Sequence, residues 1–349
     1  MKTTSPATPD ILRIWKDYRP TPLLELPALA QRIGVGRLFV KVEGERPLGN
    51  FKALGGMVAG LRAIARATGT ASLAQLLAGH PARTPLPRLI CASDGNHGLA
   101  VAAAAQRVGA DAMVLLPEAV SGARAARIVA AGGRVLRVRG TYDDAVREAK
   151  ACADRGEGLL IADTSAEEDD PVVRDVMEGY ALLTGELAEQ FTAHADTRPS
   201  HLFVQAGVGG LAAAMADGLR TVMRQPRRIL VVEPEAAACV ARALDAGHPV
   251  PVHGDLHSAA EMLSCGIASA PALAVLKRHD VRSVIVGERA LRDAVQTLRN
   301  TGGPATTPSG AAGLAGLLHV AADRELRRVH QLDASSEVLL VATEGPAQE

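Results

Sequence analysis

Short runs rich in Val, Ile and Leu alternate with alanine-rich stretches along nearly the whole chain. The runs are RLFVKVE (37–43), RLICAS (88–93), AMVLLP (112–117), RVLRVR (134–139), LLIAD (159–163), HLFVQA (201–206), RILVVE (228–233), RSVIVG (282–287) and EVLLVATEG (337–345). They read as continuous apolar segments, not as apolar–polar alternation, which marks strands covered on both faces. Between them, stretches such as GLAVAAAAQRVGA, YDDAVREAKACADRG and PVVRDVMEGYALLTGELAEQF carry helical spacing. The repetition predicts an α/β fold of mostly parallel sheets with helices on both sides.

Two proline- and polar-rich connections, GHPARTPLPR (79–88) and TAHADTRPS (192–200), bracket four strand–helix units. A smaller domain is expected there within a larger one. At 349 residues the chain has room for two such cores. Ligands of parallel-sheet folds sit outside the carboxyl ends of the strands, so the loops that follow the strands are where chemistry is sought.

Charge and composition narrow the partners. Lys+Arg and Asp+Glu both number 38 and aromatics make up 2% of the chain. No field recruits nucleic acid or an anionic membrane, and no aromatic platform offers to stack bases or sugars. No apolar run reaches the roughly 20 residues of a membrane span, and no basic–apolar leader opens the sequence. A cytoplasmic protein with a small-molecule partner is expected. The four cysteines, Cys91, Cys152, Cys239 and Cys265, lack CxxC spacing, so no metal site is expected. Whether Cys239 and Cys265 pair is left open.

Five loops carry candidate chemistry. In LGNFKALGG (48–56), Lys52 is a lone ammonium in a small uncharged turn. Such a lysine is costly to bury unless it is paired, deprotonated or used covalently. In SDGNHG (93–98), Ser93 or Asp94 can cap the following helix, while free N–H groups, Asn96 and a carboxylate suit an anionic substrate group. Asp163 ends a strand as either a turn cap or a catalytic carboxylate. In GVGGLAAA (207–214), Gly207, Gly209 and Gly210 let backbone N–H groups approach a phosphate. With Ala212 and Glu233 the same glycines also fit a dinucleotide fingerprint, so a nicotinamide-dependent dehydrogenase stands as a rival. Finally, Thr343 ends the last strand and Ser309 precedes a helix; either hydroxyl can bond its own backbone or meet a ligand.

Taken in order, FKALGG, SDGNHG, ADT (162–164), QAGVGGLA (205–212), VEPEAAAC (232–239), PSGAAGL and the terminal TEG resemble the fold-type II pyridoxal-phosphate (PLP) enzymes. The resemblance runs from YRPTPLLEL (18–26) to VATEG (341–345). Within this tryptophan synthase beta-like superfamily the chain is most similar to the diaminopropionate ammonia-lyases. Dehydratases usually have alanine or serine where Asp94 stands, and end in a serine–glycine–glycine run. The resemblance implies two doubly wound, mostly parallel-sheet domains with the cofactor in the cleft between them. Residues 1–53 plus 176–349 would form the large PLP-binding domain, and 54–175 a smaller domain mobile over the active site. Lys52 would hold PLP as a Schiff base next to Phe51, with glycines leaving room for the ring. Asn96 would contact the phenolic oxygen, Gly207, Val208, Gly209, Gly210 and Leu211 the phosphate, and Thr343 the pyridine nitrogen. Ser93, Asp94, Gly95, His97 and Ser309 would meet the substrate. Homodimers are usual in the group, and no C-terminal regulatory module is expected.

The implied reaction is α,β-elimination of ammonia from D- or L-2,3-diaminopropionate to give pyruvate and ammonia. Asp163 would take the α-proton of the L isomer and Asp94 that of the D isomer. Two stretches depart from the lyases. SAEEDDP (165–171) lacks the aromatic residues usual after the aspartate–threonine pair, and Pro308 stands where glutamate usually precedes SGA. These keep open a dehydratase acting on serine, threonine or a hydroxyaspartate. A dehydrogenase would explain one glycine loop and Glu233, but neither Lys52 nor SDGNHG. A non-catalytic amino-acid-binding module would not be expected to retain Lys52 with two candidate acids.

Overall fold

A computed structural model describes residues 11–15, 17–79, 85–194 and 197–346. The N-terminal MKTTSPATPD, residues 80–84 and 195–196 of the two connections, and 347–349 lie outside the described residues. The strands are β1 (Leu23–Glu25), β2 (Arg37–Val42), β3 (Leu89–Ala92), β4 (Ala112–Pro117), β5 (Gly133–Val138), β6 (Leu159–Leu160), β7 (His201–Gln205), β8 (Arg228–Pro234), β9 (Arg282–Val286) and β10 (Glu337–Ala342). They form a six-stranded sheet, β1-β2-β10-β7-β8-β9, and a four-stranded one, β5-β4-β3-β6. Only the β1–β2 pairing is antiparallel among the described strands. Two compact units result. One comprises the residues up to Pro20, Lys52–Asp163 and Asp169–Leu182; the other comprises Thr21–Phe51, Thr164–Glu168 and Leu183 onward.

In the four-stranded unit, β3 and β4 are buried from end to end, as continuous apolar runs require. RVLRVR differs from that reading. Its strand β5 lies at the sheet edge and leaves Arg134, Leu136 and Arg137 exposed. The helix Lys52–Thr68 packs against the helix Asn96–Val108. The pair Gly55–Gly56 serves the packing of this helix against its neighbours. A Cβ on Gly56 would fall 2.6 Å from the Ala100 Cβ, and one on Gly55 would fall 2.5 Å from Tyr180 Cε1. Gly179 answers from the helix Pro171–Ala193: its Cβ would lie 2.6 Å from the Leu54 carbonyl oxygen. Bare backbone on both sides permits the close approach.

The six-stranded unit is built on Leu38, Val40, Phe203, Leu230, Val232, Leu314, Leu317, Val338 and Leu340. One polar feature interrupts it. Lys41, fully buried in β2, places Nζ 2.5 Å from Glu186 Oε2, and Arg46 spans Glu186 (2.6 Å) and Glu43 (2.7 Å). Two cations thus balance two anions. Thr21 completes the cluster by donating its hydroxyl to Glu43 at 2.6 Å. Leaving any one of these charges unpaired would be strongly destabilising. The cluster fixes the chain as it leaves β2, and the segment beyond is tied to the end of β10. Phe51 N–H donates to the Thr343 carbonyl (3.0 Å), and Gly345 N–H donates to that of Gly49 (3.0 Å).

The glycine contacts generate a test. Gly56→Ala is expected to lower stability by about 1–3 kcal/mol through overpacking. Gly122→Ala, at a helix start with no atom within 4 Å of the new Cβ, is expected to change it by less than about 0.5 kcal/mol. Urea denaturation of both variants beside the wild type measures the difference.

Candidate active site

Lys52 is the first residue of its helix, and its Nζ lies 2.5 Å from Asp163 Oδ2. The second carboxylate oxygen, Oδ1, accepts a 2.5 Å hydrogen bond from the Tyr142 hydroxyl. Tyr142 starts the helix Tyr142–Asp154, anchored by a capping box in which Thr141 and Asp144 satisfy each other's backbone N–H. Tyr142 was missed in the sequence because no motif surrounds it. The available signal was a tyrosine, one of three in the chain, at the polar start of a helix.

The two candidate carboxylates have opposite poise. Burial alone would raise Asp163, but the Lys52 ammonium and the bonds from Lys52 and Tyr142 outweigh it and hold the group well below the usual carboxylate range. Asp94 has no such bonds. Burial, reinforced by the negative charge of Asp163, pushes its pKa up to about 7, against the opposing charges of Arg124 and Lys52. A pair of carboxyls pushed apart in this way marks acid–base sites.

The rest of SDGNHG divides between structure and site. Ser93 Oγ accepts from the N–H groups of Gly95 and Gly98, both at 2.8 Å, and so caps the following helix. Gly95 adopts φ 136° against the Arg124 side chain, a conformation open to glycine. Asn96 is the first residue of that helix. The His97 ring is turned inward. Its Nε2 donates to the Ile161 carbonyl at 2.8 Å, Nδ1 has no partner among the described residues, and burial lowers the pKa of the ring.

In the six-stranded unit, Gly207 and Val208 lead from β7 to Gly209, which caps the helix Gly210–Gly218 with φ 100°. The first intrahelical bond runs from Ala213 N–H to Gly209, so the N–H groups of Gly210, Leu211 and Ala212 precede it. A Cβ on Gly207 would lie 3.0 Å from Cys265 Sγ, and Cys239 Sγ donates to the Gly207 carbonyl at 3.3 Å. No disulfide joins Cys239 to Cys265. Ser309 Oγ accepts from Met262 N–H (3.1 Å), and Thr343 Oγ1 accepts from Gln205 Nε2 (3.1 Å). Glu233 argues against the dinucleotide reading. Its two oxygens accept from Val240 N–H (2.7 Å) and Ala241 N–H (2.8 Å), so both are engaged at a helix N-terminus. Burial pushes its pKa up to about 8 against those two bonds.

The family described as pyridoxal-phosphate dependent enzyme matches residues 14–344. The chain belongs to that family. A diaminopropionate ammonia-lyase of Salmonella typhimurium is 32% identical over 94% of this chain and 86% of its own length. A serine dehydratase-like protein of Mus musculus is 30% identical over 86% and 82%. The crystal structure of diaminopropionate ammonia lyase from Escherichia coli in complex with D-serine superposes with a TM-score of 0.86 at 28% identity, covering 96% of this chain and 87% of that one.

The side chains and backbone suit the family's cofactor. An aldehyde needs an amine, which Lys52 supplies; a phosphate needs clustered N–H donors, which the start of the helix Gly210–Gly218 supplies. The Thr343 hydroxyl hydrogen has no acceptor among the described residues and is available to a ring nitrogen.

The opposed carboxyls make stability depend on pH in a stated direction. In the folded chain burial pushes the Asp94 carboxyl up to about 7, from an ordinary value of 3.8. Its contribution is present below pH 4 and lost as pH rises to about 7. Glu233 acts in the same sense up to about 8. The urea midpoint of Asp94→Asn is therefore expected to fall less between pH 5 and pH 7.5 than that of the wild type, measured on protein stripped of cofactor.

Proposed function

We propose that this chain is a PLP-dependent ammonia-lyase that eliminates ammonia from 2,3-diaminopropionate and yields pyruvate. The observation that carries the reading is the 2.5 Å ion pair of Lys52 with Asp163, whose other oxygen is held by Tyr142, with Asp94 as a second carboxyl under the same charges. The diaminopropionate ammonia-lyases among its relatives support it.

In this reading Lys52 holds the cofactor aldehyde, and Asn96 meets the phenolic oxygen. The backbone of Gly207, Val208, Gly209, Gly210 and Leu211 holds the phosphate, and Thr343 meets the ring nitrogen. When bound, PLP supplies the electron sink for the charge left by the α-proton. Asp163 takes that proton from the L isomer and Asp94 takes it from the D isomer. Tyr142 orients Asp163 through its hydroxyl. Once the Lys52 amine is engaged, its ammonium no longer depresses Asp163, whose proton affinity rises towards that of a working base. The carboxyl protonated by the first transfer then gives its proton to the departing β-amine. Water adds to the released enamine, giving pyruvate and a second ammonia. Ser93, Gly95, the backbone of His97 and Ser309 would serve the substrate side. The same reading expects a cytoplasmic homodimer.

A second reading, a dehydratase of β-hydroxy amino acids, is favoured by Pro308 at the start of the helix that carries Ser309. The deciding assay measures pyruvate and ammonia from D- and L-diaminopropionate, and ketoacid from D- and L-serine and L-threonine. Turnover confined to the hydroxy amino acids would select the dehydratase. For the lyase, Asp94→Asn is expected to lower kcat/KM on the D isomer by about 100-fold or more, with a much smaller loss on the L isomer. Equal losses would sink the two-base assignment.

The pH profiles of the two isomers should also part. A base must be deprotonated, so turnover of the D isomer is expected to fall as pH drops through about 7, where Asp94 takes up its proton. Turnover of the L isomer, which relies on Asp163, should not share that limb. Initial rates on each isomer between pH 5.5 and 9 measure it.

A further inference from the structure

We propose that Gln205 is a positioning residue: it fixes which way the Thr343 hydroxyl points its hydrogen, and thereby keeps the ring nitrogen of the bound cofactor unprotonated. This rests on the placement of Thr343 given above.

Gln205 is the last residue of β7 and is 2% exposed. Its Nε2 lies 2.9 Å from the Ser309 carbonyl oxygen, 3.0 Å from that of Gly310, 3.1 Å from that of Val341 and 3.1 Å from Thr343 Oγ1. Exchanging the amide nitrogen and oxygen would set Oε1 against three carbonyl oxygens, none of which can donate. The amide orientation is therefore fixed by its neighbours. Oε1 itself finds no partner among the described residues. A buried amide left half-satisfied is costly, and at this position the cost is borne to aim an NH2 group at the end of the last strand.

The two hydrogens of that NH2 are shared among four acceptors. The three carbonyls are held in backbone, whereas the Thr343 hydroxyl can rotate. Towards Gln205, however, the hydroxyl can act only as an acceptor, because an amide NH2 offers no lone pair. Its own hydrogen must point elsewhere, and no acceptor for it occurs among the described residues. A buried hydroxyl with an unspent hydrogen matches a ligand atom that accepts. A neutral pyridine nitrogen accepts; a pyridinium does not. Gln205 thus decides the polarity of a hydroxyl that could otherwise face either way, and it does so without touching the cofactor.

The test uses PLP labelled with nitrogen-15 in the ring and a double-mutant cycle on PLP affinity. In the wild type the ring nitrogen resonance is expected at its unprotonated position throughout pH 6–9; a protonated nitrogen would overturn the proposal. Gln205→Met and Thr343→Val are each expected to weaken PLP binding about tenfold, the worth of one neutral hydrogen bond. In the Thr343→Val background, Gln205→Met should add nothing, because the hydroxyl it positions is gone. Equal, additive losses would show that Gln205 only stabilises the fold, and would overturn the proposal. Should Gln205→Met fail to fold, Gln205→Glu keeps the size and removes the NH2. The ring nitrogen is then expected to shift towards its protonated position, and an unchanged resonance would count against the proposal. A wild type that binds no PLP would instead sink the functional reading on which this one stands.

Discussion

An ammonium group taken out of water must find an anion, and in this chain the anion chosen for Lys52 is Asp163. Much of the chemistry follows from that pairing. It holds one carboxyl ionised despite its burial, and the charge so held helps keep Asp94 protonated. One contact therefore sets the proton inventory of the whole group. It is also conditional, because a lysine that gives up its charge to covalent work releases its partner. A salt bridge here holds the base in reserve until the amine is otherwise engaged.

The same rule operates away from the chemistry. RLFVKV reads as a continuous apolar strand, yet its lysine is among the most buried side chains of the six-stranded unit. Lys41 is tolerated because Glu186, Glu43 and Arg46 close a neutral cluster around it. That cluster, with the backbone bonds joining Gly49 and Phe51 to the end of β10, fixes the chain as far as Phe51. Replacing such a cluster by apolar residues can be neutral for stability, so its worth lies in position.

Asp94, Asp163 and the glycine loop were legible in the sequence because each follows a strand, and parallel sheets do their chemistry there; Lys52, ten residues beyond β2, was legible as a lone lysine in a small uncharged turn. Tyr142 and Gln205 were not. A side chain whose task is to hold another is defined by neighbours distant in sequence, and neither spacing nor motif records those. Gly55 and Gly56 stood out as unusual, but for a reason belonging to three helices that the sequence cannot bring together. Glu233 shows the converse. Its spacing suited a dinucleotide site until the fold gave both of its oxygens to a helix N-terminus. The strand β1 escaped notice because three residues carry too little pattern, and β5 was taken as fully covered because an edge position is a property of the sheet.

β10, made of the last residues of the chain to enter a sheet, lies between β2 and β7 in the six-stranded order. During synthesis on the ribosome, β2 therefore waits with an open edge until residues 337–342, about three hundred positions later, have emerged. Contacts of such long sequence separation form slowly, and an unpaired apolar edge invites association with other chains in the interval. Loss of the C-terminal residues would likewise open the middle of this sheet instead of trimming its margin. A piece of the chain that stops short of β10 cannot close this sheet.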